Sequence, residues 1–183
     1  MKPIPDFQTL YGRFPDADGI PEAVSVSPDG IPEPYRSLLV HSLHMTVTVE
    51  RFYGDRVDVR VLETRTDGAE YSRKILLSLA GDGRVVQFGI VFIDLDLLAP
   101  AVRQQIVEGR TPLGRVLIQN EVLREVRATG FVKVVPHATM RRWFGMDDCG
   151  PLYGRLGVIT ADGQPAIEVL EVLAPATRIN SNP

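Results

Sequence analysis

From Met45 onward the chain falls into runs of alternating apolar and polar residues separated by short polar turns. Met45-Thr46-Val47-Thr48-Val49-Glu50-Arg51-Phe52 alternates as a half-buried strand does, which predicts that the first sheet strand starts near Met45. Tyr53-Gly54-Asp55 reads as a turn, and Arg56 to Thr64 then places Val57, Val59 and Val61 on one face. Thr66-Asp67-Gly68 precedes a strand over Glu70 to Leu79, and Gly81-Asp82-Gly83 precedes another over Val85 to Ile93. Runs of this length joined by Asp-Gly turns predict a meander of four neighbouring antiparallel strands.

The period then lengthens. Leu97, Leu98, Val102 and Ile106 recur at helical spacing within Asp94 to Val107, with Pro100 in an early turn. A second helix is expected from Thr111-Pro112 to about Gln119, a long strand over Glu121 to Val135, and a short helical piece over Thr139 to Phe144. Leu152 to Thr160 and Gln164 to Leu173 form a hairpin across Ala161-Asp162-Gly163. Before all of these, residues 1 to 34 carry Pro3, Pro5, Pro15, Pro21, Pro28, Pro32 and Pro34, which exclude a long helix or a central strand there. Three segments are expected: a proline-rich arm over 1–34, a domain over 35–176, and a polar tail over 177–183. The fold class is α+β, a single antiparallel sheet of six or seven strands with helices on one side.

The 183 residues suffice for a sizeable core, and 44% hydrophobic with 23% charged residues is the composition of a globular chain. A formal charge of −3 argues against nonspecific nucleic-acid or anionic-membrane binding, so any anion must be met by a local basic site. Met1 to Asp6 lack a basic and then apolar leader pattern, and no apolar run approaches the ~20 residues that span a bilayer; a cytoplasmic location is expected. Cys149 is the only cysteine, which excludes an intrachain disulfide and a zinc ribbon. It sits in turn-like sequence without an adjacent base. His41, His44 and His137 offer no recognisable ligand spacing, and no metal site is expected.

Thr111-Pro112-Leu113-Gly114-Arg115 is the segment that points to chemistry. Threonine is a capping residue and proline suits a first helical turn, so the amides of Leu113, Gly114 and Arg115 would lack helical partners and face an anion. Gly114 lets a ligand approach the backbone. Arg73 shares its parity with Tyr71, Ile75 and Leu77, which sends a guanidinium to an apolar face where it needs a partner. Glu168 and Glu171 face opposite sides of one strand, so at least one is enclosed; a salt bridge to a neighbouring strand, with Arg73 a candidate, is the plain alternative. Arg141-Arg142 beside Trp143-Phe144 reads either as cover for an anion or as a solvated turn with a buried aromatic.

From about Leu38 to Ala176 these motifs resemble the chorismate lyase family and its wider superfamily. The residues that carry the likeness are Met45-Thr46, Arg51-Phe52, Arg73 to Leu77, Thr111 to Arg115, Gly163 to Pro165 and Glu171 to Pro175, in the family's order. The resemblance implies a cofactor-independent elimination of pyruvate from chorismate, leaving 4-hydroxybenzoate. It places the product's carboxylate at Met45, Arg73 and Leu113 and its hydroxyl at Glu171, with Arg73 and Glu171 carrying the catalysis and Thr111, Gly114 and Gly89 supporting. One position departs: the family has an arginine after the glycine of the fourth strand, where Gly89 is followed by Ile90, so Arg124, Arg141, Arg142 or Arg155 would have to substitute.

Two alternatives stand beside a lyase. The same fold serves as the effector domain of some transcription regulators, which implies a non-catalytic sensor of small aromatic carboxylates. Those regulators carry an N-terminal DNA-binding domain, which residues 1 to 34 are too short and proline-rich to form. The other alternative is a related enzyme with a different anionic substrate. Oligomeric state is open on sequence grounds.

Overall fold

The computed structural model describes residues 6–148 and 150–176. Cys149, the two most N-terminal prolines and the expected tail lie outside the described residues. The elements in order are α1 (Phe7–Tyr11), β1 (Ala23–Ser25), α2 (Tyr35–Leu39), α3 (Met45–Tyr53), β2 (Val57–Asp67), β3 (Glu70–Leu79), β4 (Val85–Asp94), α4 (Pro100–Glu108), α5 (Leu113–Gln119), β5 (Arg124–Val134), α6 (Ala138–Phe144), β6 (Leu152–Ala161) and β7 (Gln164–Leu173). All seven strands join one antiparallel sheet in the order β1-β5-β6-β7-β4-β3-β2. The expected α+β class and antiparallel sheet are therefore found.

Asp-Gly turns organise the hairpins as their chemistry requires. Gly68, Gly83 and Gly163 all adopt positive φ, which a side chain at those positions would oppose. The meander has three strands, β2, β3 and β4, not four. The segment expected to open the sheet at Met45 is instead helix α3, which buries Met45, Thr46 and Val49 and ends at the left-handed Gly54. Its residues satisfy both periods, since Met45, Val49 and Tyr53 repeat at i and i+4. Packing against the sheet selects the helix.

Alternation splits the sheet into two apolar faces. On one, Tyr71, Ile75, Leu77, Val91, Ile93, Ile167 and Val169 lie under α2 to α5. On the other, Leu76, Phe88, Ile90, Phe92, Leu170 and Val172 lie under α1 and α6, where Tyr11 and Trp143 each stack on Phe88 at 5.4 Å. The proline-rich segment thus contributes Phe7, Leu10, Tyr11 and Phe14 to the second core and a three-residue edge strand to the sheet. Among the described residues no helix is long and apolar enough to cross a membrane.

Candidate functional site

Between the first face and the N-terminal ends of α3 and α5 lies a partly enclosed cavity of about 40 Å³, counted over the centres of water-sized spheres. At about 10–15 Å³ per water in that measure it holds roughly three waters. The sheet forms its floor. Reading across β3, β4, β7 and β6, one row is Ile75, Gly89, Glu171 and Arg155, with Leu77, Gln87 and Leu173 on one side and Arg73, Val91 and Val169 on the other. Gly89 is the low point of this floor: a Cβ there would stand 3.3 Å from Ile75 Cδ1.

The roof is made by two helix starts in contact. His44, Met45 and Thr46 begin α3, and Pro112, Leu113 and Gly114 begin α5; all six line the cavity. The first intrahelical bond of α3 runs from the Thr48 amide to His44 O, so the amides of Met45, Thr46 and Val47 precede the helical ladder. Gly114 permits the contact, because a Cβ there would lie 3.0 Å from His44 Cβ and 3.1 Å from Thr46 Oγ1. Arg115 locks the pair from behind: it bonds Glu50 of α3, whose Oε1 also accepts from the Val57 amide at 2.9 Å.

Thr111 departs from its expected role. The N-cap of α5 is Pro112, with ψ 138°, and no side chain caps the helix. Proline has already removed one of the orphan donors, and Thr111 lies outside the cavity lining.

Arg73 is the dominant charge. It is 1% exposed, its Nη1 donates to Ile106 O at 3.0 Å, and its Nε has no partner among the described residues. The Ile106 carbonyl belongs to the last turn of α4, whose dipole favours a cation there. Burial lowers the guanidinium's pKa and the neighbouring Tyr71 hydroxyl opposes that shift. No carboxylate forms an ion pair with Arg73 among the described residues.

Glu171 is paired, but with a residue that sequence reasoning did not assign to it. Arg155 lies directly across the β6–β7 ladder, and its Nε donates to Glu171 Oε2 at 2.6 Å. The same guanidinium donates to His41 O at 3.2 Å and Leu43 O at 3.1 Å, tying the α2–α3 loop to the floor. His44 accepts from Arg124 Nε at 2.6 Å through Nε2, which leaves the ring proton on Nδ1. Burial, with Arg124 and Arg155 adding to it, pushes its pKa down to about 4. His41 is lowered too, by burial and then by Arg155.

Met45, Arg73, Leu113, Glu171, Gly114 and Gly89 therefore come together, from five separate elements or their ends. Of the four arginines expected as substitutes, Arg155 and Arg124 stand at the site, while Arg141 and Arg142 belong to α6 on the other face. Ile90 also points to the other face, where it is fully buried beside Leu76 and Phe88, so its identity does not alter the cavity wall. Gln87 was not identified from sequence. Strand parity places Gln87 with Gly89 and Val91, a signal that was there to be read.

No family model matches the sequence, and no curated protein matches it. The fold does match solved structures. A crystal structure of PhnF from Mycobacterium smegmatis aligns with a TM-score of 0.57 at 13% identity, over 76% of this chain and 67% of that one. Its effector domain, solved alone, aligns at 0.52 and 12% identity over 74% and 91%. The chain has the fold of the PhnF effector domain. This is the chorismate lyase-like fold expected from sequence. A GntR-family transcriptional regulator from Bacillus cereus aligns at 0.45 and 12% identity over 69% and 97%. The likeness to the PhnF structures overturns the expectation of a chorismate lyase. The likeness to an effector domain agrees with the ligand-binding alternative.

Proposed function

We propose that this chain is a non-catalytic binding domain for small carboxylates, acting as a sensor. Arg73 carries the reading: a guanidinium 1% exposed, with an unpartnered Nε and no ion-pair partner among the described residues, lines a cavity roofed by the start of the nine-residue α3. Burying an unpaired charge is costly, and a bound carboxylate offsets that cost by matching the arginine fork. The amides of Met45 and Leu113 supply further donors to the same oxygens, and the helix dipole favours the anion. Val59, Val91 and Leu113 offer apolar walls to a ring. Glu171 is already bonded to Arg155, so it accepts from the ligand's far end and positions it.

Titration calorimetry tests this with benzoate and 4-hydroxybenzoate, using benzamide as the uncharged control. The acids bind, the amide does not, and the ligand is recovered chemically unchanged. Arg73→Met keeps the side chain's length without its charge and weakens binding about 10–100-fold, the value of charge-assisted hydrogen bonds. Equal affinity for acid and amide would remove the proposal.

A further inference from the structure

Two described helices begin on a histidine, and the two rings are used in opposite ways. His137 is the N-cap of α6: its Nδ1 accepts from the Met140 amide at 3.1 Å, while Nε2 stands 3.2 Å from both Asp16 and the Tyr11 hydroxyl. Its proton is therefore on Nε2. His44 is the N-cap of α3, yet its side chain does not cap that helix. The equivalent donor would be the Val47 amide, which precedes the ladder that begins with Thr48.

Arg124 accounts for the difference. Its Nε donates to His44 Nε2 at 2.6 Å, which occupies that lone pair. Burial holds the ring neutral, so its one proton is on Nδ1, and a protonated Nδ1 cannot accept from an amide. His41 follows the pattern of His137, with Nδ1 accepting from the Leu43 amide at 3.1 Å and Nε2 2.7 Å from Leu38 O. His44 is thus the exception among the three histidines. Its ring spans two spaces, because it lines both the cavity and the open groove where Arg124 lies. Cβ and Cγ stand beside Gly114 at the cavity roof, and Nε2 reaches outward to Arg124. Nδ1 is bonded to Cγ at the cavity end and has no partner among the described residues. The residue is 8% exposed, so an unmatched donor there is costly and a bound acceptor relieves it.

This inference rests on the carboxylate-binding reading above. We propose that Arg124 is a positioning residue of that site: by occupying His44 Nε2 it bars His44 from capping its own helix, so that the α3 amides stay open and Nδ1–H adds a donor for the ligand carboxylate. Without the Arg124 donor the proton moves to Nε2, Nδ1 caps Val47 as His137 caps Met140, and the anion site closes from within.

Two variants separate the hydrogen bond from the charge. In Arg124→Gln an N–H stands as many bonds from the backbone as the arginine Nε, without the charge; in Arg124→Met a methyl takes that place. The full chain, isotopically labelled at the histidine nitrogens, is read by NMR for the tautomer of each ring and by hydrogen exchange at the Val47 amide, and benzoate affinity is measured by calorimetry. Wild type and Arg124→Gln show one ring with its proton on Nδ1, exchange Val47 rapidly, and bind benzoate within about threefold of each other. Arg124→Met shows every ring protonated on Nε2, a Val47 amide slowed at least about tenfold, and benzoate binding about tenfold weaker, the value of one charge-assisted hydrogen bond. Equal weakening in Arg124→Gln and Arg124→Met would assign the effect to charge and overturn the proposal, as would a wild-type His44 protonated on Nε2. If wild type binds no benzoate, the carboxylate reading fails, while the tautomers and Val47 exchange still decide whether Arg124 bars the cap.

Discussion

At Gly89 a single missing side chain separates binding from stability. An added Cβ meets Ile75 Cδ1 at 3.3 Å and Leu170 O at 3.5 Å, contacts that a small shift of the flexible isoleucine relieves. Gly89→Ala should therefore cost less than about 1 kcal/mol in a denaturant melt while raising the floor and weakening benzoate binding several-fold. His44 has a different signature. Its folded pKa, about 4, lies below the 6.5 of an unfolded histidine, so the unfolded state binds more protons between those values. Stability from this residue is complete above about pH 6.5 and is lost as pH falls through 4, to a limit of about 3 kcal/mol. Unfolding curves from pH 7 to 4 should slope accordingly, and His44→Gln should flatten that slope.

The elements that form the site are joined at one close contact. α3 and α5 approach at Gly114, where a Cβ would meet His44 Cβ, His44 Cγ and Thr46 Oγ1 at 3.0 to 3.2 Å. The first of these is anchored next to the backbone and cannot give way cheaply. Gly114→Ala should destabilise by about 1–3 kcal/mol and push the two helix starts apart. A lowered melting temperature and lost benzoate binding would appear together, unlike the Gly89 variant. The glycine of the T-P-L-G-R segment was legible in sequence as a point of close approach. What approaches it was not, because the alternating threonines and valines of α3 satisfy the two-residue period of a strand locally, and only burial of Met45, Thr46 and Val49 on one side distinguishes the helix.

Across the whole molecule the two faces of the sheet have separate tasks. Opposite the cavity, Lys74 bonds Asp16 at 2.7 Å and Phe14 O at 3.1 Å, and Asp16 also accepts from the Tyr11 hydroxyl at 2.5 Å. His137 stands 3.2 Å from the same carboxylate and caps α6 by accepting from the Met140 amide. Burial and Asp16 together raise the Tyr11 pKa, keeping the phenol a donor. This cluster fastens the proline-rich segment and α6 to the sheet. Asp16→Ala removes the short ion pair of a buried lysine, leaving Glu63 at 4.0 Å, and should cost about 3 kcal/mol. Proteolysis should then cut first within residues 7–20, while benzoate affinity of the folded fraction stays at the wild-type value.

Local chemistry was sufficient for much of this architecture. Asp-Gly turns with positive φ, strand parity and the 3.6-residue period of α4 are properties of neighbouring residues, so the sheet's hairpins, the inward aim of Arg73 and the enclosure of one of Glu168 and Glu171 could be read from the chain alone. The same is true of the α+β class. Pairing between distant strands and helices belongs to tertiary structure. Arg155 meets Glu171 because β6 and β7 pair in a register that includes a shift between Ile159 and Thr160, and a slip of one residue would send either side chain to the other face. Packing likewise made Met45–Tyr53 a helix, turned Ile90 away from the cavity, and left Arg73 without an acidic partner among the described residues. Burial decides which charges must find partners, and burial is a property of the assembled sheet and helices that no single segment contains.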